Sequence, residues 1–136
     1  MASFNKFQPF VEALAEKKHN LGSDQLAVAL TNSAPNATDD TLSDISQISY
    51  TYCSSRNITT SSSAQSGGTY KLVLTDLTLT ASGGSVGPFR YIVIYNDTAT
   101  NDDLICYFDY GSSITLADGE SLDIDFDGTD GLLQLA

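Results

Sequence analysis

Three aspartates at alternate positions, Asp123, Asp125 and Asp127, precede Gly128 near the end of the chain. Carboxylates with this spacing form the first half of an EF-hand loop, where hard oxygen ligands converge on calcium. The second half of the pattern is missing, because Gln134 occupies the position of the closing bidentate glutamate. We therefore do not expect an EF-hand.

The same stretch alternates between acidic and apolar residues, with Leu122, Ile124 and Phe126 between the aspartates. Strict alternation is typical of a strand with one buried face. This pattern predicts an amphipathic strand whose aspartates face outward. The alternative is a weak, non-EF calcium site formed by Asp125, Asp127 and Asp130.

Groups that could catalyse a reaction are few. His19 is the only histidine and follows Lys17 and Lys18, so we expect it to cap the C-terminal end of a helix. Paired carboxylates at 39–40 and 102–103 fall in polar stretches, whereas a glycosidase needs one acid held in an apolar pocket. We predict a non-enzymatic protein with no catalytic residues and no cofactor-binding residues.

The two cysteines, Cys53 and Cys106, are far apart in the sequence. Neither has a basic neighbour that would lower the pKa of its thiol. In a reducing compartment we expect two free, partly buried thiols. A disulfide between them is the alternative.

The charge of the chain is strongly acidic. Its 136 residues carry 17 acids against 6 bases, a formal net charge of −11, and residues 91–136 contain no Lys or Arg. Nucleic acids and anionic membranes are poor partners for such a surface. No apolar run approaches the roughly 20 residues of a membrane span, and no secretory signal is evident. We expect synthesis in a host cytoplasm.

Apolar residues recur at spacings of three and four from Phe4 to Leu14, which predicts a helix over residues 4–18. Pro9 is the difficulty, because proline lacks a backbone N–H and is tolerated only in the first helical turn. The alternative is a regular helix that begins at Gln8, with the preceding residues extended or turned.

After residue 22 the pattern changes to short alternating strands about 8–12 residues apart, separated by Gly-, Asn- and Asp-rich turns. We predict strands near residues 25–31, 50–52, 69–74, 77–79, 89–95, 104–110, 113–116 and 122–126. The 89–95 strand is expected to be central, and Asp118-Gly119 to form a hairpin turn. The fold class is mainly β, an antiparallel β-sandwich of jelly-roll or Ig-like type with one N-terminal α-helix. Residues 1–22 form the helix or arm, and residues 23–136 form the sandwich domain.

Two groups of residues are candidates for a protein interface, because Tyr, Phe and Arg are common interface anchors. Around the predicted central strand these are Arg90, Tyr91 and Tyr95. At the N-terminus they are Phe4, Lys6, Phe7 and Phe10, which would make the helix a docking arm. The alternative for both groups is packing against the protein's own sheet.

Several segments together resemble a family of small virion structural proteins of tailed bacteriophages. They are residues 10–16 (FVEALAE), 19–24 (HNLGSD), 26–32 (LAVALTN) with Ala34-Pro35, 68–76 (GTYKLVLTD), 87–98 (GPFRYIVIYNDT), 109–113 (DYGSS) and 122–126 (LDIDF). The resemblance covers nearly the whole chain and rests on the ensemble, not on one diagnostic motif.

The resemblance implies a capsid decoration, or cement, protein that binds and stabilises a shell of the major capsid protein. It brings no catalytic residues. The expected partners are the major capsid protein and other copies of this chain, as a homotrimer or dimer, without nucleic acid or membrane. The expected location is the capsid surface of the virion. A tail or tail-tip protein, or a carbohydrate-binding module on the virion surface, is the alternative.

Overall fold

The computed structural model describes residues 3–136 of the chain. Within them the protein is mainly β, with antiparallel sheets arranged like a sandwich and one α-helix near the N-terminus, which confirms the predicted fold class. The elements are β1 (Ser3–Lys6), α1 (Gln8–Ala15), β2 (Leu26–Thr31), a 3-10 turn (Leu42–Asp44), β3 (Asn57–Ile58), β4 (Thr60–Ser66), β5 (Thr69–Leu74), β6 (Leu77–Thr80), β7 (Val86–Asn96), β8 (Leu104–Leu116), β9 (Ser121–Ile124) and β10 (Leu133–Leu135).

The largest sheet has five strands in the order β1-β8-β7-β2-β3. Strand β7 lies at its centre, as predicted, and its Ile92-Val93-Ile94 segment is fully buried. A strand that is covered on both faces typically consists of such a continuous apolar run. Strand β2 is also buried along its whole length, and its residues are Leu, Ala and Val followed by one Thr. These two strands form the middle of the core.

Two smaller sheets complete the fold, one of order β10-β5-β4 and one pairing β6 with β9. The Asp118-Gly119 turn does not close a hairpin, because β9 leaves β8 and pairs with β6 in another sheet. Strand β8 runs without interruption through Gly111, whose φ of +83° bends the strand but does not end it.

The N-terminal segment is part of the domain and not a detached arm. Residues 3–6 form β1, which pairs with β8 from Ser3 opposite Asp109 to Lys6 opposite Cys106. The helix begins at Gln8 and places Pro9 in its first turn, where its missing N–H costs no hydrogen bond. It ends at Ala15, so the longer helix over 4–18 is wrong and its first residues pair in the sheet instead.

One further local prediction differs from the structure. Tyr50 and Tyr52 do not form a strand. The Tyr50 hydroxyl donates a hydrogen bond to the Gln47 side chain at 2.8 Å and accepts one from the Leu30 N–H at 2.9 Å. These bonds hold this part of the chain against β2 as a loop. The polar stretch 54–68 contains β4, the hairpin partner of β5. No helix within residues 3–136 is long and apolar enough to span a membrane.

Candidate functional site

Large apolar side chains are exposed at few positions, and most of these lie close together. Phe4 on β1 is 45% exposed, Val11 on α1 is 52% exposed and Leu135 on β10 is 51% exposed. All three line one groove, whereas the remaining large exposed apolar residue of the described chain, Tyr52, lies outside it. Exposed apolar residues that cluster mark a contact surface more often than scattered ones do.

This apolar groove encloses about 320 Å3 between α1 and the edge strands β1 and β10. Its floor includes Ile105 and Phe10, and Leu14 and Leu133 complete the walls. The sequence builds it because Pro9 starts the helix immediately after β1, so that the outer face of α1 lies beside the strand. Lys6 adds a positive charge.

On another side of Phe4 lies a second depression, the aromatic groove, of about 760 Å3. The Phe4 ring meets the Phe108 ring edge-on at 5.7 Å between centroids, and Phe108 lies 6.5 Å from Phe126. Tyr110 also lines the groove, and burial, followed by the nearby charge of Asp125, raises the pKa of its hydroxyl. The two grooves share the Phe4 side chain.

The acidic residues of β9 and the turn after it line the aromatic groove. Asp123 accepts a hydrogen bond from the Thr78 hydroxyl at 2.6 Å. Asp127 accepts the backbone N–H groups of Asp130 and Thr129, each at 2.8 Å, and these bonds lower the pKa of its carboxyl. The alternation predicted around Leu122 is therefore present, with Ile124 buried and the aspartates exposed.

The calcium alternative finds no support in this geometry. Asp127 uses one carboxylate oxygen to hold its own turn, and Asp130 lies 4.0 Å from the Lys71 ammonium. Among residues 3–136, no three His, Cys, Asp or Glu side chains lie together in a way that could hold a metal ion. Asp125, Asp127 and Asp130 thus do not converge as ligands.

Three of the predicted interface residues lie inside the protein. Phe7 is fully buried with its ring 5.2 Å from that of Tyr107, and Phe10 is 5% exposed and packs on His19. Tyr95 is also 5% exposed. For these side chains the alternative holds, namely packing against the protein's own sheet. Phe4 and Lys6 remain at the surface, beside the apolar groove.

Arg90 and Tyr91 are only partly exposed and are engaged within the main sheet. The Arg90 guanidinium donates to both carboxylate oxygens of Asp109, at 2.8 and 3.2 Å, and lowers the pKa of that carboxyl. The Tyr91 ring meets Tyr107 edge-on at 6.1 Å. Both residues therefore make cross-strand contacts, and neither lines the grooves around Phe4.

A buried polar cluster, which little in the sequence indicates, lies beneath the end of α1. The Asn96 side-chain oxygen accepts the backbone N–H groups of Thr98 and Ala99, which fixes the orientation of its amide. The amide nitrogen donates to Asp24 at 2.7 Å and faces His19 Nδ1 at 3.0 Å. Nδ1 is therefore the acceptor, and Nε2 carries the proton.

His19 does not cap the helix as expected. It is 5% exposed, and its Nε2–H has no acceptor among residues 3–136. Burial lowers the pKa of His19, although Asp103 and Asp24 oppose the shift. A neutral imidazole held in this way joins the segment after α1 to the end of β7, and the clue in the sequence was the Asn96-Asp-Thr turn.

Both cysteines are free thiols. Cys106 is buried in β8, where burial raises its pKa far above the ordinary value. Contrary to expectation, Cys53 does have a basic neighbour, Arg56, whose charge lowers the pKa of the thiol, but burial is the larger effect and raises it. Neither sulfur is poised as a thiolate nucleophile.

No family model matches this chain, and no curated protein or solved structure shows significant similarity to it. Two features of the chain therefore bear on its function: the grooves around Phe4, and the sequence segments that resemble small phage virion proteins. Of these two, the grooves supply residues that can be changed one at a time.

Proposed function

We propose that this protein is a non-enzymatic assembly protein that docks onto a protein partner through the apolar groove. The observation that carries the proposal is the clustering of Phe4, Val11 and Leu135, which come from three separate elements. A fold that leaves these side chains together in water gains stability when a partner covers them.

Covering these half-exposed side chains contributes part of the binding free energy. Full burial of a Phe, Val or Leu side chain contributes about 1.5–3 kcal/mol relative to exposure, before the cost of ordering the partners. The groove is smaller than a standard interface, which buries about 800 Å2 on each partner. It therefore serves as the apolar centre of a contact whose polar rim extends further.

The partner we propose is the shell of a tailed phage, with this chain as a decoration protein on the capsid surface. The support is the resemblance carried by the segments from residue 10 to residue 126. Self-association as a trimer or dimer belongs to the same proposal, because a decoration protein placed where capsid subunits meet can follow the local symmetry.

The chemistry of the interior favours a structural role over a catalytic one. The His19 imidazole has its Nδ1 engaged by Asn96, Asp127 holds a turn, and Asp109 is paired with Arg90. These three groups thus make contacts that hold the fold. This supports assembly as the function.

The direct test replaces Phe4 by Ala and measures co-sedimentation with purified capsids that lack this protein. Loss of one buried Phe contact should weaken binding about 10- to 100-fold. Tyr52→Ala is the matched control, because Tyr52 is equally exposed, at 45%, but lies away from the groove. It should bind as the unchanged protein does.

Equal binding by both variants would exclude the apolar groove as the docking surface. Cryo-electron microscopy of the virion that encodes this chain then decides between partners. Density at regular positions on the capsid lattice is the expected result. Density confined to the tail would replace capsid decoration by the tail alternative, and glycan binding without capsid binding would favour the carbohydrate-binding alternative.

A further inference from the structure

We propose that the aromatic groove binds the cationic side chains, Arg or Lys, of an extended basic segment in a protein partner. The proposal deepens the proposed function, on which it rests for the partner being a protein. It assigns a ligand chemistry to a surface that shares only Phe4 with the apolar groove.

The floor of the groove is a row of aromatic rings. Phe4, Phe108 and Phe126 follow one another at centroid distances of 5.7 and 6.5 Å, and Tyr110 also lines the groove. Aromatic faces attract a guanidinium or ammonium group placed within about 6 Å of the ring centre. The chain uses the same contact internally, since the Arg56 guanidinium carbon lies 3.6 Å from the centre of the Tyr50 ring.

The groove carries an excess of negative charge, although the charge of nearby Lys71 also acts on Asp127. Asp123, Asp125 and Asp127 are exposed at its rim, and none of the six Lys and Arg residues of the chain lines it. Within residues 3–136 the Asp125 side chain has neither a hydrogen bond nor an ion pair with the protein. Hydrogen bonds from the 129–130 backbone lower the pKa of Asp127 and hold it in the charged form.

Charge complementarity selects the occupant. An anionic ligand would be repelled by three carboxylates, and a small metal ion would find no convergent set of ligands in the described chain. A guanidinium group satisfies both features at once, because its plane stacks on a ring while its N–H groups donate to a carboxylate. Successive basic side chains of an extended segment can reach the row of rings and the row of aspartates together.

The test uses a fluorescein-labelled hexa-arginine peptide and measures its affinity for the full chain by fluorescence anisotropy at 150 mM salt. The groove variant is the double substitution Asp123→Asn with Asp125→Asn, which removes two charges. Asparagine keeps an oxygen that accepts the Thr78 hydroxyl, so the fold is retained. Thermal unfolding of each variant checks this.

The matched control is Asp97→Asn with Asp118→Asn. These aspartates are equally exposed, one free of side-chain bonds and one accepting the Gly83 N–H at 2.9 Å, and neither lines the groove. Both doubles change the net charge by the same amount. A long-range effect of net charge would therefore weaken the peptide equally in the two variants.

We expect the groove variant to weaken peptide binding about 5- to 10-fold and the control by less than about 2-fold. In a nuclear magnetic resonance titration, the amide signals of residues 108–110 and 123–127 should shift on peptide addition. Equal weakening in both variants, no saturable binding, or shifts elsewhere would each overturn the inference.

The test is separate from that of the proposed function. Peptide binding requires no capsid, so it can fail while Phe4→Ala still weakens capsid binding. In that case the docking function stands and the basic ligand does not. The reverse result, groove-specific peptide binding without capsid binding, would retain the ligand chemistry and exclude the capsid as the partner.

Discussion

His19 shows how one buried side chain makes stability depend on pH. The folded protein holds the imidazole neutral, because burial and the Asn96 amide at Nδ1 disfavour the added proton. The unfolded chain takes up that proton near the ordinary pKa of about 6.5. Since the unfolded state then binds more protons, the free energy of unfolding falls as the pH falls below that value.

We therefore expect urea denaturation to show the stability fully present above about pH 6.5 and declining from there toward pH 5. His19 is the only histidine, so its replacement isolates the effect. The His19→Gln variant should be less stable at pH 7.5 and should lose this slope. An unchanged slope in the variant would assign the pH dependence to the carboxylates.

Two glycines separate backbone strain from a steric clash. Gly131 has a φ of +79°, and a Cβ added there would lie 2.5 Å from the Leu72 carbonyl oxygen. Gly119 has a similar φ of +88° but open space around its Cα. An alanine at residue 131 would therefore suffer both backbone strain and a steric clash, whereas an alanine at residue 119 would suffer only backbone strain.

Gly119→Ala should lower the free energy of unfolding by about 1–2 kcal/mol, the cost of the left-handed conformation. Gly131→Ala should lower the free energy of unfolding by more, about 3 kcal/mol or above, because β5 and β10 must also move apart to make room for the added Cβ. Guanidinium denaturation of the two variants measures the difference. Equal losses of unfolding free energy in the two variants would show that β10 can move away from β5 without an energetic cost.

At the level of elements, the N-terminal segment joins the fold through both β1 and α1. Strand β1 adds an edge to the main sheet, and Phe7 follows it as a fully buried side chain whose backbone N–H donates to Ile105 at 3.2 Å. The same segment exposes Phe4. One short stretch thus supplies a core residue and a surface residue three positions apart.

The Phe7→Ala variant should lose about 3–5 kcal/mol of stability, the usual cost of truncating a buried Phe. Phe4→Ala should lose little, since that side chain is 45% exposed. Denaturation followed by circular dichroism compares them. If Phe7→Ala instead unfolds like the unchanged protein yet no longer binds capsids, the segment acts as a detached arm.

At the level of the whole molecule, the net charge of −11 and the base-free stretch 91–136 act together. The acidic residues surround the aromatic groove, whereas the apolar groove has Lys6 at its side. Binding to a basic partner should therefore combine a salt-sensitive part with a salt-resistant part.

Capsid binding by the unchanged protein should weaken between 50 mM and 500 mM NaCl, because salt shortens the range of charge interactions from more than 10 Å to below 8 Å. The groove variant Asp123→Asn with Asp125→Asn should show a smaller salt dependence. Co-sedimentation at several salt concentrations measures both. Binding that strengthens with salt would indicate that the apolar contact dominates.

Period-two alternation predicted most strands correctly, including β9 with Asp123 facing outward, and the continuous apolar run of residues 89–95 predicted the central position of β7. The same kind of pattern failed at Tyr50 and Tyr52, where side-chain hydrogen bonds to β2 favour a loop. The helical spacing from Phe4 to Leu14 also described two elements as one. Apolar spacing reports which side chains are buried and not which backbone groups bond together.

The sequence alone determined what local interactions control: the mainly β class, turns at glycines, the helix start at Gln8 next to Pro9 and the acidic surface of the C-terminal half. Tertiary structure decided what depends on distant partners. It buried Phe7, Phe10 and Tyr95, left Phe4 exposed between two grooves, and joined His19 to Asn96. These outcomes arise because strand pairing and side-chain packing bring together residues that the sequence keeps up to a hundred positions apart.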